Sequence, residues 1–71
     1  MKLQIWRERI KRDMTQEKVA NIVGVTKTQI SDIENNLSKP SYELQIKLED
    51  LFKMNHRELF EPVKDEDLHT A

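Results

Sequence analysis

The chain contains a single glycine, Gly24, and its position constrains the fold more than any other residue does. It lies between two short amphipathic runs, one opened by Thr15 and one by Thr26, in the stretch Thr15-Gln16-Glu17-Lys18-Val19-Ala20-Asn21-Ile22-Val23-Gly24-Val25-Thr26-Lys27-Thr28-Gln29-Ile30-Ser31-Asp32-Ile33. Glycine enters the left-handed backbone conformation without a Cβ clash, so it ends a helix and lets the chain leave at a steep angle. Only two residues separate Val23 from Thr26, which predicts a helix, a sharp turn and a second helix in tight crossing. Any pair of antiparallel helices can use a glycine this way, so the inward positions must agree with the punctuation. Val19, Val23, Val25, Ile30 and Ile33 fill them with apolar side chains, and Ala20 offers a small one where the helices come closest. Met14 is placed to meet Val19 across the cap Thr15, and Val25 to meet Ile30 across the cap Thr26. These are two hydrophobic staples, and Thr26 with Gln29 adds a capping box.

Apolar periodicity along the rest of the chain predicts five helices in one all-α domain, with no alternating run that reads as a strand. The first helix covers about residues 3–12, with Leu3, Trp6 and Ile10 on one face. After the central pair, Asn35-Asn36 supplies a left-handed stop, and Pro40 marks a boundary before the cap Ser41. The fourth helix runs to about residue 52 with Leu44, Leu48 and Leu51 as its stripe. Asn55 with Glu58 caps a short fifth helix ending near Phe60, and Met54 is placed to staple to Leu59. The domain is therefore residues 1–60. Residues 61–71, with Asp65-Glu66-Asp67 and no apolar period, are expected to form an acidic, frayed tail.

A 71-residue chain buries a modest fraction of its surface, so it needs efficient packing or oligomerisation and offers little room for a substrate-enclosing cleft. The absence of cysteine removes disulfides and thiolate metal sites and suits a reducing cytoplasm. The start, Met1-Lys2-Leu3-Gln4-Ile5-Trp6-Arg7-Glu8, has no apolar core of a signal peptide, and no run is long enough to span a membrane. His56 and His69 stand without metal-ligand spacing, and no glycine-rich phosphate loop is present. The expectation is a protein without enzymatic activity, cofactor, metal or membrane partner.

The net charge of −1 hides a polarity. Residues 1–40 hold eight Lys/Arg against five Asp/Glu, and residues 41–71 hold four against eight. A basic front and an acidic back would orient the molecule on a polyanion; the alternative is that these charges simply solvate a small helical domain.

From about Arg9 to Phe60 the chain resembles the Cro and phage-repressor type of helix-turn-helix domain, the Xre family. The resemblance rests on Met14-Thr15-Gln16-Glu17, Val23-Gly24-Val25-Thr26, Ile30-Ser31-Asp32-Ile33-Glu34-Asn35, Lys39-Pro40-Ser41 and Glu58-Leu59-Phe60. It implies a compact five-helix, lambda-repressor-like domain whose helices two and three form the helix-turn-helix. It also implies a bacterial or phage sequence-specific DNA-binding transcriptional regulator, a repressor acting by operator occupancy. The family usually has Gly where Asp13 and Asn36 stand, a small residue where Glu49 stands, and a differently spaced apolar pair in helix one. The competing reading is a protein-interaction module, such as an antitoxin or adaptor, that keeps the fold and binds through its acidic half.

With Ile30 at zero and about 100° per residue, Ile33 and Thr26 fall at about 300° and 320° on the buried face of helix three. Thr28, Asp32, Asn35 and Ser31 fall at about 160°, 200°, 140° and 100°, facing outward, with Lys27 flanking them in the first turn. In a docked helix-turn-helix these early residues reach base edges, so Lys27 and Thr28 are the first candidates for base contact, then Ser31 and Asp32. Lys27 suits guanine O6 and N7, Thr28 a thymine methyl or a base acceptor, and Asp32 cytosine N4. For all four, a solvated polar face is the alternative. Gln16 and Asn35 match family positions that grip phosphates, and Thr26 and Lys39 join them as phosphate candidates. Glu34, at about 40°, lies on the flank of the buried face. In the family the acid here pairs with a basic residue at the position of Arg9, so Arg9 and Glu34 are expected, with Gly24 and Ala20, to be structural. One recognition helix reads few base pairs, which favours a homodimer on a palindromic operator. Met54, Leu59, Phe60, Pro62 and Val63 are the apolar residues least needed for a core and the candidates for its interface.

Overall fold

Helix starts along this chain are set by short polar side chains that satisfy the first free N–H groups. The computed structural model describes residues 1–64. It contains α1 (Gln4–Lys11), α2 (Gln16–Val23), α3 (Lys27–Glu34), α4 (Tyr42–Phe52) and α5 (His56–Leu59), with no strand among the described residues. Thr15 accepts from the Lys18 N–H, Ser41 from that of Leu44, and Asn55 from that of Glu58. Thr26 and Gln29 close a full capping box on α3. Glu49, where the family usually has a small residue, adds a second acceptor at α5: its carboxylate takes the His56 N–H at 2.8 Å and lies 3.5 Å from His56 Nδ1.

The start of α1 is built differently. Leu3 is extended and supplies no side-chain cap. Its N–H donates instead to the Glu34 carbonyl at 2.8 Å, the Gln4 N–H to the Glu61 carbonyl at 2.8 Å, and the Val63 N–H to the Lys2 carbonyl at 2.9 Å. Leu3 and Pro62 thus form an isolated antiparallel bridge. Residues 61–63, assigned to a frayed tail from sequence, tie down the first helix; the acidic run from Asp65, and His69, lie outside the described residues.

Gly24 ends α2 at φ 79°, ψ 35°, and its N–H and that of Val25 both reach the Ala20 carbonyl, at 2.8 and 2.9 Å. Among the described residues three others are left-handed: Asp13 (φ 56°), Asn36 (φ 59°) and Lys53 (φ 57°). Asp13 and Asn36 are the two positions where the family usually carries glycine. Their short polar side chains tolerate the conformation, which explains how the turns survive the substitution.

The core is formed by Leu3, Ile5, Val19, Ala20, Val23, Ile30, Ile33, Leu44, Leu48, Phe52 and Leu59, with Met14, Val25, Leu51, Met54 and Phe60 packed partly buried against it. Two apolar faces differ from the periodicity. In α1 the inward residue is Ile5, while Ile10 is half exposed to solvent, 51%, and Trp6 is only half-buried. Leu3 lies in the extended segment before the helix, so counting helical turns from it misplaces the face. In α4 Phe52, one turn beyond Leu48, is buried where Leu51 was expected to carry the stripe. Leu59 is fully buried, which removes it from the residues free to form a dimer contact; Pro62 is exposed and Met54, Phe60 and Val63 are half-buried.

Candidate nucleic-acid interface

The capped turn between α2 and α3 presents the outer face of α3 to solvent. Lys27 and Thr28 are exposed, and Ser31 and Asp32 half-buried on the same side. The side chains of Lys27, Thr28 and Asp32 make no hydrogen bond or ion pair with the other described residues. Ser31 is touched by Asn35, whose Nδ2 donates to the Ser31 carbonyl at 2.9 Å and lies 3.5 Å from its Oγ. The face is polar, uncommitted at its N-terminal end, and closed at its C-terminal end by Asn35.

The four phosphate candidates fall at different places around this face. Thr26 is exposed, with its N–H given to Gln29 Oε1 at 2.9 Å and its Oγ accepting from the Gln29 N–H at 3.1 Å. Asn35 is half-buried beside Ser31, and Lys39 is exposed in the loop before α4. Lys39 borders an open depression with Asn36, Ser38, Pro40 and Gln45 over Leu3, Ile33 and Phe60. Gln16 begins α2, half-buried, and with Arg9, Thr15, Glu17 and Lys27 lines a second open depression where the starts of α2 and α3 approach.

Behind the face lies a charged network built on the expected pair of Arg9 and Glu34, more deeply buried than the flank position of Glu34 implies. Glu34, expected on the flank, is fully buried. Its Oε2 accepts from Arg9 Nε at 2.5 Å, and its Oε1 from Arg9 Nη2 at 3.2 Å and Gln16 Nε2 at 2.9 Å. Arg9 Nη1 donates to the Met14 carbonyl at 2.7 Å. A buried carboxylate is tolerated because charge-assisted hydrogen bonds occupy both oxygens. The part of Gln16 in this network has no local signal: the two residues are 18 apart in the chain.

Other cations of the basic half are also used internally. Arg12 pairs with Glu8 at 2.7 Å, donates to the Phe52 carbonyl at 3.0 Å and stacks over the Phe52 ring at 5.2 Å, while Lys11 sits 3.3 Å from Glu8. Burial by itself would raise the pKa of Glu8, but the hydrogen bonds from Arg12 and Lys11 and their charges together hold it below the ordinary glutamate value. Lys18, Lys27 and Lys39 are exposed and make no ion pair among the described residues. No group of three or more acidic, His or Cys residues among the described residues is arranged to hold a metal, and no helix is long and apolar enough to cross a membrane.

A tight helix pair with a short glycine turn and an exposed polar second helix defines the class of helix-turn-helix DNA-binding domains. The sequence profile of the helix-turn-helix family matches residues 3–59, and the chain belongs to that family, the Cro/CI (Xre) type of DNA-binding transcription regulators. No curated protein matches the chain.

Proposed function

We propose that this protein is a sequence-specific transcriptional repressor that acts in the cytoplasm by occupying a palindromic operator as a homodimer. The observation that carries the reading is the outer face of α3, where Lys27 and Thr28 stand exposed and unpaired at the end of the helix that enters the major groove in this family. Lys27 donates to guanine and Thr28 meets a thymine methyl or a base acceptor, with Ser31 and Asp32 one turn further along. Gln16, Thr26, Asn35 and Lys39 bracket the face and contact phosphates, which sets register without reading sequence. Repression follows from exclusion of polymerase, with control through protein concentration or a second protein.

The dimer supplies two recognition helices about 34 Å apart, one for each successive major groove. Its contact uses the late apolar residues that the core leaves accessible: Met54, Phe60, Pro62 and Val63. Selection from random duplexes tests the whole reading. Recovery of a palindromic motif supports it, whereas no enrichment at low salt favours the protein-interaction module. Lys27→Ala and Thr28→Ala are expected to change which base pairs are preferred. Gln16→Ala and Asn35→Ala should weaken all sequences alike, on top of a log K that falls linearly with log salt. Uniform loss with unchanged base preference in the Lys27 variant removes its assignment as a base reader. Sedimentation across micromolar concentrations tests the dimer; a monomer that binds a single half-site without cooperativity removes it.

A further inference from the structure

The buried charge at the centre of the domain reaches the proposed DNA face through one side chain, Gln16. Glutamine is a flexible residue, and at an exposed helix start its carboxamide samples several rotamers and both orientations of its oxygen and nitrogen. Here it has a charged acceptor. Glu34 Oε1, fully removed from solvent, takes the Gln16 Nε2 donor at 2.9 Å. Arg9 holds the carboxylate in place through Nε and Nη2, and holds the Met14 carbonyl, just before the α2 cap, through Nη1. A carboxylate accepts and never donates, so it selects the orientation in which the nitrogen of Gln16 faces inward. That nitrogen carries a second N–H, which Glu34 leaves unused.

We propose that Glu34, held by Arg9, is a positioning residue for DNA binding: it fixes the Gln16 carboxamide so that its remaining N–H is presented to a backbone phosphate. This rests on the reading of Gln16 as a phosphate contact. Ordering the side chain before binding removes a conformational cost from the encounter. The network also links the end of α3 to the start of α2. The phosphate donor at one helix and the base readers on the other are therefore held in one frame.

The test is a cycle of operator affinities, run on the full chain with a duplex recovered by selection. Arg9→Met/Glu34→Leu replaces the ion pair by apolar groups of similar size, an exchange that buried pairs often tolerate. Glu34→Met, which keeps a side chain of similar length and removes both acceptor oxygens, provides the same cycle if the doubly substituted chain does not fold. Gln16→Ala is expected to weaken operator binding about tenfold in the native chain, and less than about threefold where Glu34 is replaced. The Gln16 side-chain amide should be ordered by NMR relaxation in the free native protein and mobile in the Glu34 variants. A purely structural role for Glu34 would shift the melting temperature and leave the Gln16 effect the same in both backgrounds, which overturns the proposal. No loss from Gln16→Ala in the native chain also overturns it. That failure is distinguishable from failure of the DNA-binding reading, because a selected motif sensitive to Lys27 and Thr28 would persist.

Discussion

Lys53 ends α4 in the left-handed conformation, φ 57° and ψ 39°, with a Cβ that makes this region unfavourable. For a residue other than glycine the conformation costs about 1–2 kcal/mol. Glycine removes that cost but brings a more disordered unfolded chain, worth about 0.4–1 kcal/mol in the opposite direction. Lys53→Gly should therefore stabilise the domain by about 0.5–1 kcal/mol. The backbone bond survives the change, because the residue 53 N–H that reaches the Glu49 carbonyl is retained. What is lost is an ion pair at 3.2 Å between Lys53 Nζ and Asp50, both about four-fifths exposed (79% and 82%), which solvent screening makes weak. Lys53→Ala is the control, since it removes the same ion pair and keeps the left-handed Cβ. For a domain of this size 1 kcal/mol corresponds to about 4–8 °C in Tm. The glycine variant should melt a few degrees above the alanine variant by far-UV circular dichroism, and half-buried Trp6 provides a second probe in urea. Identical melting of the two variants would show that residue 53 is not left-handed, and the reasoning fails.

At Gly24 a Cβ would meet nothing within 4 Å, so Gly24→Ala should cost only the conformational penalty, about 1 kcal/mol or more, and Gly24→Val more still. An unchanged urea midpoint would remove the turn. Arg9→Ala leaves Glu34 buried without its cation and should cost about 3–5 kcal/mol, whereas Arg9→Met/Glu34→Leu should cost far less; additive effects in a double-mutant cycle would mean that the pair is uncoupled. Because the folded pKa of Glu8 lies below its unfolded value, its stabilising contribution is present above the ordinary glutamate range and is lost as pH falls through the lowered value. Removing the two cations, in Lys11→Gln/Arg12→Gln, should flatten that part of the stability-against-pH curve, and an unaltered curve would assign the acid dependence elsewhere.

The central helix pair was legible because its signals are local. Thr15 reaches the N–H three residues on, Thr26 and Gln29 close on each other, and Gly24 needs only its own backbone to turn the chain. Val19, Val23, Ile30 and Ile33 then follow from helical period, and all are buried. The family's left-handed positions survive as Asp13 and Asn36, but Lys53 carries no mark in the sequence that it adopts the same conformation. The α1 face was misread for a physical reason. Helical period assumes that the counted residues belong to the helix, and Leu3 is instead an extended residue bridged to Pro62 from the far end of the chain.

The site divides in the same way. Exposure of Thr28 follows from its angle on α3, because a face opposite Ile30 and Ile33 has nowhere to go but outward, while Lys27, three residues before Ile30, is exposed at the first position of the helix. Burial of Glu34 does not follow from any angle. A carboxylate can leave water only if donors meet both its oxygens, and those donors, Arg9 and Gln16, come from other helices, 25 and 18 residues away. The sequence by itself determined where α2, α3, α4 and α5 start and where the chain turns after α2, since those choices are settled by hydrogen bonds within a few residues. Only the tertiary structure decided which polar groups go inside, since the cost of burying a charge is met by partners that local sequence does not contain.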